Sequence, residues 1–548
     1  MSASVTGEVM VEDFSVEKVE VGGFPMQTFK HRFPNAWEMF CRSASIYGER
    51  VFLVEGQNRL TYGETAGKIA IMAAYLREEA RVGKGDYVGM LMENSILFVV
   101  TFWAIQQLGG TAVVFNTRLA PPELARQFQV SDIKVLLSSP LLSVKVQEIP
   151  HGSFDFQQIV IGPSWESKFT GRVPELPSGE TLEDNVALVL FTSGTVGLPK
   201  GVMITHRNLI TSALKQGFIF SQFQDPQDQD VGKTVIAAPL FHVLALQEQL
   251  MASVFMGRSC VLVSSYQPQE VVNLFVRERV NVLAMTPTMY WMLLHKTPIR
   301  EVRLDSIKIL IYGGAPMPPD LLRELRQIFP GVKCFNGYGL TEASVISILN
   351  DDFCELRPTS VGKPALCSEV KIVDSSRKEV GVNDIGELAV RGALVTKGYY
   401  KLPEESARVY EDGWFYSGDM AYRDGEGFIY LVGRAREMIN RGGENVYPVE
   451  VENILHLHPK VLDAAVFGLP DPVLGEAVGC AIILRPGEVG FGIEEVKDFC
   501  QSQLADYKIP QQIIFVTELP RNPGGKVIKK RLIDQFLPTP GKEDRERR

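Results

Sequence analysis

A chain of 548 residues with 45% hydrophobic and 22% charged residues is globular in composition and long enough for more than one domain, which excludes a disordered or fibrous protein. Its formal net charge of −9 gives no basic footprint, so nucleic acid is excluded as the main partner, while a local basic channel for an anionic ligand stays allowed. Seven cysteines, odd in number and without a Cys-x-x-Cys pair, suggest neither a disulfide framework nor a zinc site.

In chain order, residues 1 to 33 read as a polar lead-in without a basic-then-apolar secretory signal, which together with reduced thiols points to the cytoplasm. The most apolar stretch, Ile96 to Ile105, is stopped by Gln106 and Gln107 well short of a membrane span, so a buried helix is expected there. From residue 50 to 350, apolar runs such as VGMLM, TAVVF, VALVLF, TVIAAP, SCVLV and IKILIYGG alternate with amphipathic segments such as PPELARQFQV and PQEVVNLFVRERV. This alternation predicts an α/β fold with largely parallel sheets and ligand loops at strand ends. After residue 360 the short strands and turns predict a compact β-rich portion. A last α/β part then forms a small second domain, giving 1–435 and 436–548 as the two units. Its His456 and His458 are read as polar side chains facing solvent, because no third metal ligand is in view.

Residues 191–202, FTSGTVGLPKGV, suit a polyphosphate, since glycines allow close backbone approach, hydroxyls donate and a lysine adds mobile charge. The Walker A pattern fails: Pro199 stands where its second glycine belongs, and Gly201 stands where a hydroxyl is required after Lys200. NGYGLTEA at 336–343 reads as a glycine-flanked loop after the strand VKCF, in which Glu342 could hold magnesium, Thr341 could touch a phosphate and Tyr338 could stack on a base. YSGD sets Asp419 in a turn, where a carboxylate can take two ribose hydroxyls; GRAREMI offers Arg434, and PRNPGGKVIKK offers Lys526.

In this order, FTSGTVGLPKGV, NGYGLTEA, GELAVRG, YSGD, GRAREMINRGGENVYPVEVE and LPRNPGGKVIKK resemble the adenylate-forming superfamily, over residues 35 to 535. That superfamily includes acyl-CoA synthetases, aryl-CoA ligases, peptide-synthetase adenylation domains and luciferases. The resemblance implies a large multi-subdomain α/β N-terminal domain and a small mobile α+β C-terminal domain. It also implies ATP, Mg2+ and coenzyme A: the acid becomes acyl-AMP with release of pyrophosphate, and then acyl-CoA. By the same resemblance Thr192, Ser193, Gly194, Thr195 and Gly197 would grip phosphates with Lys200 nearby, and Glu342 would hold the metal. Tyr338 would stack on adenine beside Gly314, Ala315 and Pro316, with Asn336, Gly337, Gly339 and Thr341 around the nucleotide and Asp419 and Arg434 on the ribose. Lys526 would bridge the α-phosphate and the carboxylate, Arg436 would be the hinge, and Gly442 and Gly443 would line the thiol tunnel.

The acyl pocket is expected around His242, Val243, Leu244, Ile311, Gly313, Val345 and Ile346, with His242 as either a gate or a core-edge histidine. With no acid in APLFHVLAL an amino-acid substrate is disfavoured, and a charge-free pocket favours an apolar fatty or aryl acid. Two departures from the superfamily stand out: Val196 replaces a second hydroxyl, and Arg436–Glu437 replaces Lys-Asp. Alternatives to CoA as acceptor are a carrier-protein phosphopantetheine or an amine. A non-catalytic nucleotide-binding relative is the reading from another class, and a homodimer is the oligomer allowed.

Overall fold

The computed structural model describes residues 13–149, 154–162, 165–168, 181–192, 199–222, 232–442, 444–488, 492–501, 503–521 and 527–536. Among them, three larger sheets follow an N-terminal two-stranded one. That first pair corrects the polar lead-in. Val16–Val21 and Phe24–Phe29 form an antiparallel hairpin, in register from Val16↔Phe29 to Val21↔Phe24, and Phe29 is buried.

A six-stranded sheet contains Tyr87–Leu91, Thr111–Val114, Val135–Ser138 and Val186–Thr192, which lie parallel as the apolar runs predict. Each of these strands has four consecutive buried residues, and near-continuous Val/Leu/Ile runs are what a helix-covered parallel sheet demands. The helix Ile96–Gln107 covers it; Ser95 caps its N-terminus by accepting from Phe98 N, and Phe98 through Gln106 are buried. No helix among the described residues is long and apolar enough to cross a membrane. None of the seven cysteines is in a disulfide.

The second sheet has fourteen strands. Its parallel half runs through Val51–Glu55, Ser259–Leu262, Lys233–Ile236, Val282–Met285, Ile309–Gly313 and Lys333–Leu340. The β-rich portion expected after residue 360 continues this sheet. Ser344–Leu349 pairs antiparallel with Lys333–Leu340, and Ser360–Pro364 carries the pairing on to Ile429–Arg434. One ladder therefore runs from the parallel core to the strands holding Asp419 and Arg434.

After the short turn Ala435–Glu437 a five-stranded sheet begins at Ile439–Arg441, with its own core of Ile439, Val451, Val466, Val478, Ile482 and Val496. Arg485 Nη2 reaches Asp320 Oδ2 of the large unit at 2.6 Å. The two histidines of the HLH segment do not simply face solvent. His458 is buried edge-on against Phe499, and His456 Nε2 lies 3.3 Å from Asp463 Oδ1, because the helix Pro448–His456 ends against the strand Val461–Asp471.

Candidate active site

The strand Val186–Thr192 and the strand Lys200–Thr205 pair antiparallel, with Thr192 opposite Lys200. The glycine-rich stretch between them is thus the link of a hairpin, where a Walker loop would join a strand to a helix. Ser193, Gly194, Thr195 and Gly197 lie outside the described residues. Lys200 Nζ pairs with Glu405 Oε2 at 2.8 Å and lies 4.9 Å from the ring centre of Tyr399.

The NGYGLTEA segment is not the loop its glycines suggest. The strand runs on through Asn336, Gly337, Tyr338 and Gly339 to Leu340, turns at Thr341–Ala343 and returns as Ser344–Leu349. Gly339 permits that return, since a Cβ there would sit 2.0 Å from the Ser344 carbonyl oxygen. Asn336 Nδ2 donates to Ser360 O at 3.3 Å. The Tyr338 hydroxyl donates to Asp419 Oδ2, and Arg434 Nε meets Asp419 Oδ1 at 2.6 Å. Burial, then the adjacent Asp419 carboxylate, push the Tyr338 phenol well above its ordinary range, so it stays a donor. Asp419 and Arg434 face each other in the antiparallel register, which explains how YSGD and GRAREMI come together.

Glu342 sits half-buried in the turn. Its Oε1 accepts from the Tyr399 hydroxyl at 2.9 Å and its backbone carbonyl accepts from Thr396 N at 2.9 Å. A single oriented carboxylate fits Mg2+, which is usually held by one or two carboxylates plus substrate phosphates. Gly314, Ala315 and Pro316 follow the strand Ile309–Gly313 in a turn, with Gly314 at φ +78°.

Beside Tyr338 opens a cavity of about 110 Å³. Val243, Leu244, Ile311, Gly313 and Val345 line it, together with Phe220, Met256 and Phe335. Ile346 does not; the strand alternation turns it into the core with Ala343 and Leu388. His242 stands at the turn just before the lining residues, its ring 4.5 Å from that of Phe241. The expectation of a charge-free wall is corrected. Glu248, only six residues beyond His242, lines the cavity, and so does Arg258. Glu248 is already matched by the buried Lys215, so it offers no unmet charge to a substrate ammonium.

Arg436 is exposed in the turn between the two sheets, and Gly442 holds φ +64° with its N–H on Leu474 O at 2.7 Å. Gly443 and Lys526 lie outside the described residues; Arg521 and Val527 pair across the segment holding Lys526. Sequence reasoning missed Tyr399, Glu405, Glu248 and Lys215. The signals were a GYY beside PEE and one acid inside the apolar run LFHVLALQEQLMASVF.

A family model described as AMP-binding enzyme matches residues 40–400, and one described as AMP-binding enzyme C-terminal domain matches residues 450–526. The chain is 34% identical to a feruloyl-CoA synthase from Amycolatopsis sp over 88% of this chain and 95% of that one. It is 28% identical to a long-chain-fatty-acid–CoA ligase from Bacillus subtilis (strain 168), over 90% and 93%. Among solved structures, o-succinylbenzoate CoA synthetase from Bacillus subtilis is 30% identical. In complex with its acyl-adenylate intermediate it superposes with a TM-score of 0.79, covering 92% of this chain and 98% of that one. The same enzyme in complex with ATP and magnesium ion superposes at 0.78, covering 92% and 100%. The chain belongs to the AMP-binding enzyme family, within the adenylate-forming superfamily.

Proposed function

We propose that this enzyme joins the AMP part of ATP to an apolar carboxylic acid of one aromatic ring or a short hydrocarbon chain, with release of pyrophosphate, and then passes the acyl group to CoA. The observation that carries the reading is the division of labour on one strand. Asn336, Gly337 and Gly339 line the acyl cavity while Tyr338, between them, is tied to Asp419 and Arg434. Acid and nucleotide would therefore meet across a single backbone. The size follows from the cavity: about 110 Å³ is comparable to the roughly 150 Å³ apolar cavity that admits benzene.

In the first step a carboxylate oxygen attacks the α-phosphorus, the bond to the β-phosphate oxygen breaks and pyrophosphate leaves. Both reactants are anions, so charge cancellation and in-line positioning are what the chain must supply. Lys200 neutralises the polyphosphate once it leaves Glu405, Asp419 and Arg434 hold the ribose, and Lys526 spans the reacting groups. Glu342, oriented by Tyr399, would hold Mg2+, which when bound offsets phosphate charge. In the second step the CoA sulfur attacks the acyl carbon, the acyl–phosphate bond breaks and AMP leaves. Residues 436–548 form the mobile unit, with Arg436 as hinge and Gly442 and Gly443 beside the thiol.

A panel of aromatic, short-chain and long-chain acids with ATP and Mg2+ tests this, scored by pyrophosphate release and by product mass with and without CoA. We expect one-ring or short acids to give AMP and a CoA thioester. Turnover confined to long-chain acids would overturn the size assignment, and release of ADP would overturn the chemistry.

A further inference from the structure

Behind the acyl cavity lies a buried polar cluster that the two reaction steps do not use. Glu248 Oε1 accepts from Ser212 Oγ at 2.8 Å, from Val345 N at 3.2 Å and from the Ser344 hydroxyl, with Lys215 Nζ at 3.4 Å. Its Oε2 accepts from Gln216 Nε2 at 2.5 Å. Lys215 Nζ also donates to Val345 O at 2.9 Å, so the ion pair holds both the N–H and the C=O of Val345. The Lys215 side chain is fully buried and that of Glu248 is 5% exposed.

A buried pair of this kind is weak evidence for stability, because apolar replacement of both partners is often neutral. Its worth lies in what it fixes. Ser344 holds φ +55°, the left-handed region that a serine rarely adopts without compensation. Ser344 is also the first residue after the turn Thr341–Ala343. The carboxylate itself comes from Leu244–Leu250, which is wound as a π-helix, a rare winding that is frequent at functional sites. A strained serine, a π-helical segment and a buried ion pair thus converge on one carboxylate.

We propose that Glu248 is a positioning residue: from the wall of the acyl cavity it fixes the left-handed turn at Ser344, and through it sets Thr341 and Glu342 for the nucleotide. The inference rests on the reading of that turn as part of the nucleotide site. Because Ser344 and Val345 also line the cavity, the acid-binding wall and the metal-binding carboxylate form one rigid piece.

The test measures the Kd of α,β-methylene-ATP with Mg2+ by calorimetry, and the Tm, for the full chain and its variants. Glu248→Gln should weaken binding at least about tenfold, the scale of an outer-shell partner's loss. The double variant Lys215→Met with Glu248→Gln removes both charges; it should recover Tm while the weak Kd persists. Adding Ser344→Gly to Glu248→Gln should restore the Kd, because glycine takes positive φ without cost. The proposal is overturned if Glu248→Gln binds like the parent, if Kd recovers together with Tm in the charge-free pair, or if Ser344→Gly fails to restore it. Asp419→Ala separates the two readings. Loss of binding there, beside parent-like Glu248→Gln, sinks only the clamp, whereas unchanged binding in both sinks the nucleotide site with it.

Discussion

The hydroxyl of Tyr399 donates to Glu342 Oε1 across 2.9 Å. Burial, and then the Glu342 charge, hold that phenol far above its ordinary range, so it donates throughout the working pH range. Tyr399→Phe removes only this donor and keeps the ring beneath Lys200. We expect the half-saturating Mg2+ for pyrophosphate release to rise by about tenfold. Tyr399→Leu should in addition raise the KM for ATP, because the ring beneath Lys200 is lost. A Phe variant with unchanged Mg2+ dependence would show that Tyr399 is packing only.

Lys200 is paired with Glu405, whose carboxyl is held below its usual range by the Lys200 hydrogen bond and charge. In the proposed role of Lys200, an incoming polyphosphate would displace this carboxylate. Glu405→Gln should therefore lower the KM for ATP several-fold at low salt, and the gain should shrink at high ionic strength as the repulsion is screened. Lys200→Ala should move the KM the other way. Steady-state kinetics at two salt concentrations decide the matter.

Lys526 and Arg436 should separate the two half-reactions. Lys526→Ala is expected to stop acyl-AMP formation and leave thioester formation from supplied acyl-AMP largely intact. Arg436→Pro should freeze one arrangement of the C-terminal unit and impair one half-reaction more than the other. Equal loss of both steps in Lys526→Ala, or unimpaired turnover in Arg436→Pro, would contradict these roles.

His206 gives a pH dependence of stability. It is 1% exposed, its Nδ1 accepts from Ala36 N at 3.2 Å, and burial pushes its pKa down to about 4. In the unfolded chain a histidine titrates near pH 6.5, at about that value. Between those pH values the unfolded state binds more protons. Stability is therefore lost as pH falls from about 6.5 towards 4, by about 3 kcal/mol in total. His206→Asn, which keeps an acceptor for Ala36 but does not titrate, should lose that much less between pH 7 and 4 in urea unfolding.

The strands around the site were legible because each is a short apolar run bounded by turn residues, and VALVLF, TVIAAP and IKILIYGG all form parallel strands. NGYGLTEA misled, since glycines punctuate a sequence locally while the flanking strands pull the segment into their ladder. The pairing of Asp419 with Arg434 was readable only by resemblance, as the antiparallel register is a nonlocal fact. Glu248 carried a faint signal: one acid amid apolar residues requires a partner, but nothing near it names Lys215, 33 residues earlier on another helix.

The pairing of Thr192 with Lys200 sets which insertions and deletions this fold can absorb. Seven residues separate the two, and their ends are stapled by a ladder that continues through Val202↔Leu190. A change of length inside that link leaves the ammonium aimed as it is. A one-residue change a step further, between Gly201 and Ile204, would invert the alternation and send Lys200 to the opposite side of the sheet. Variation among relatives should gather before the lysine and stop at it.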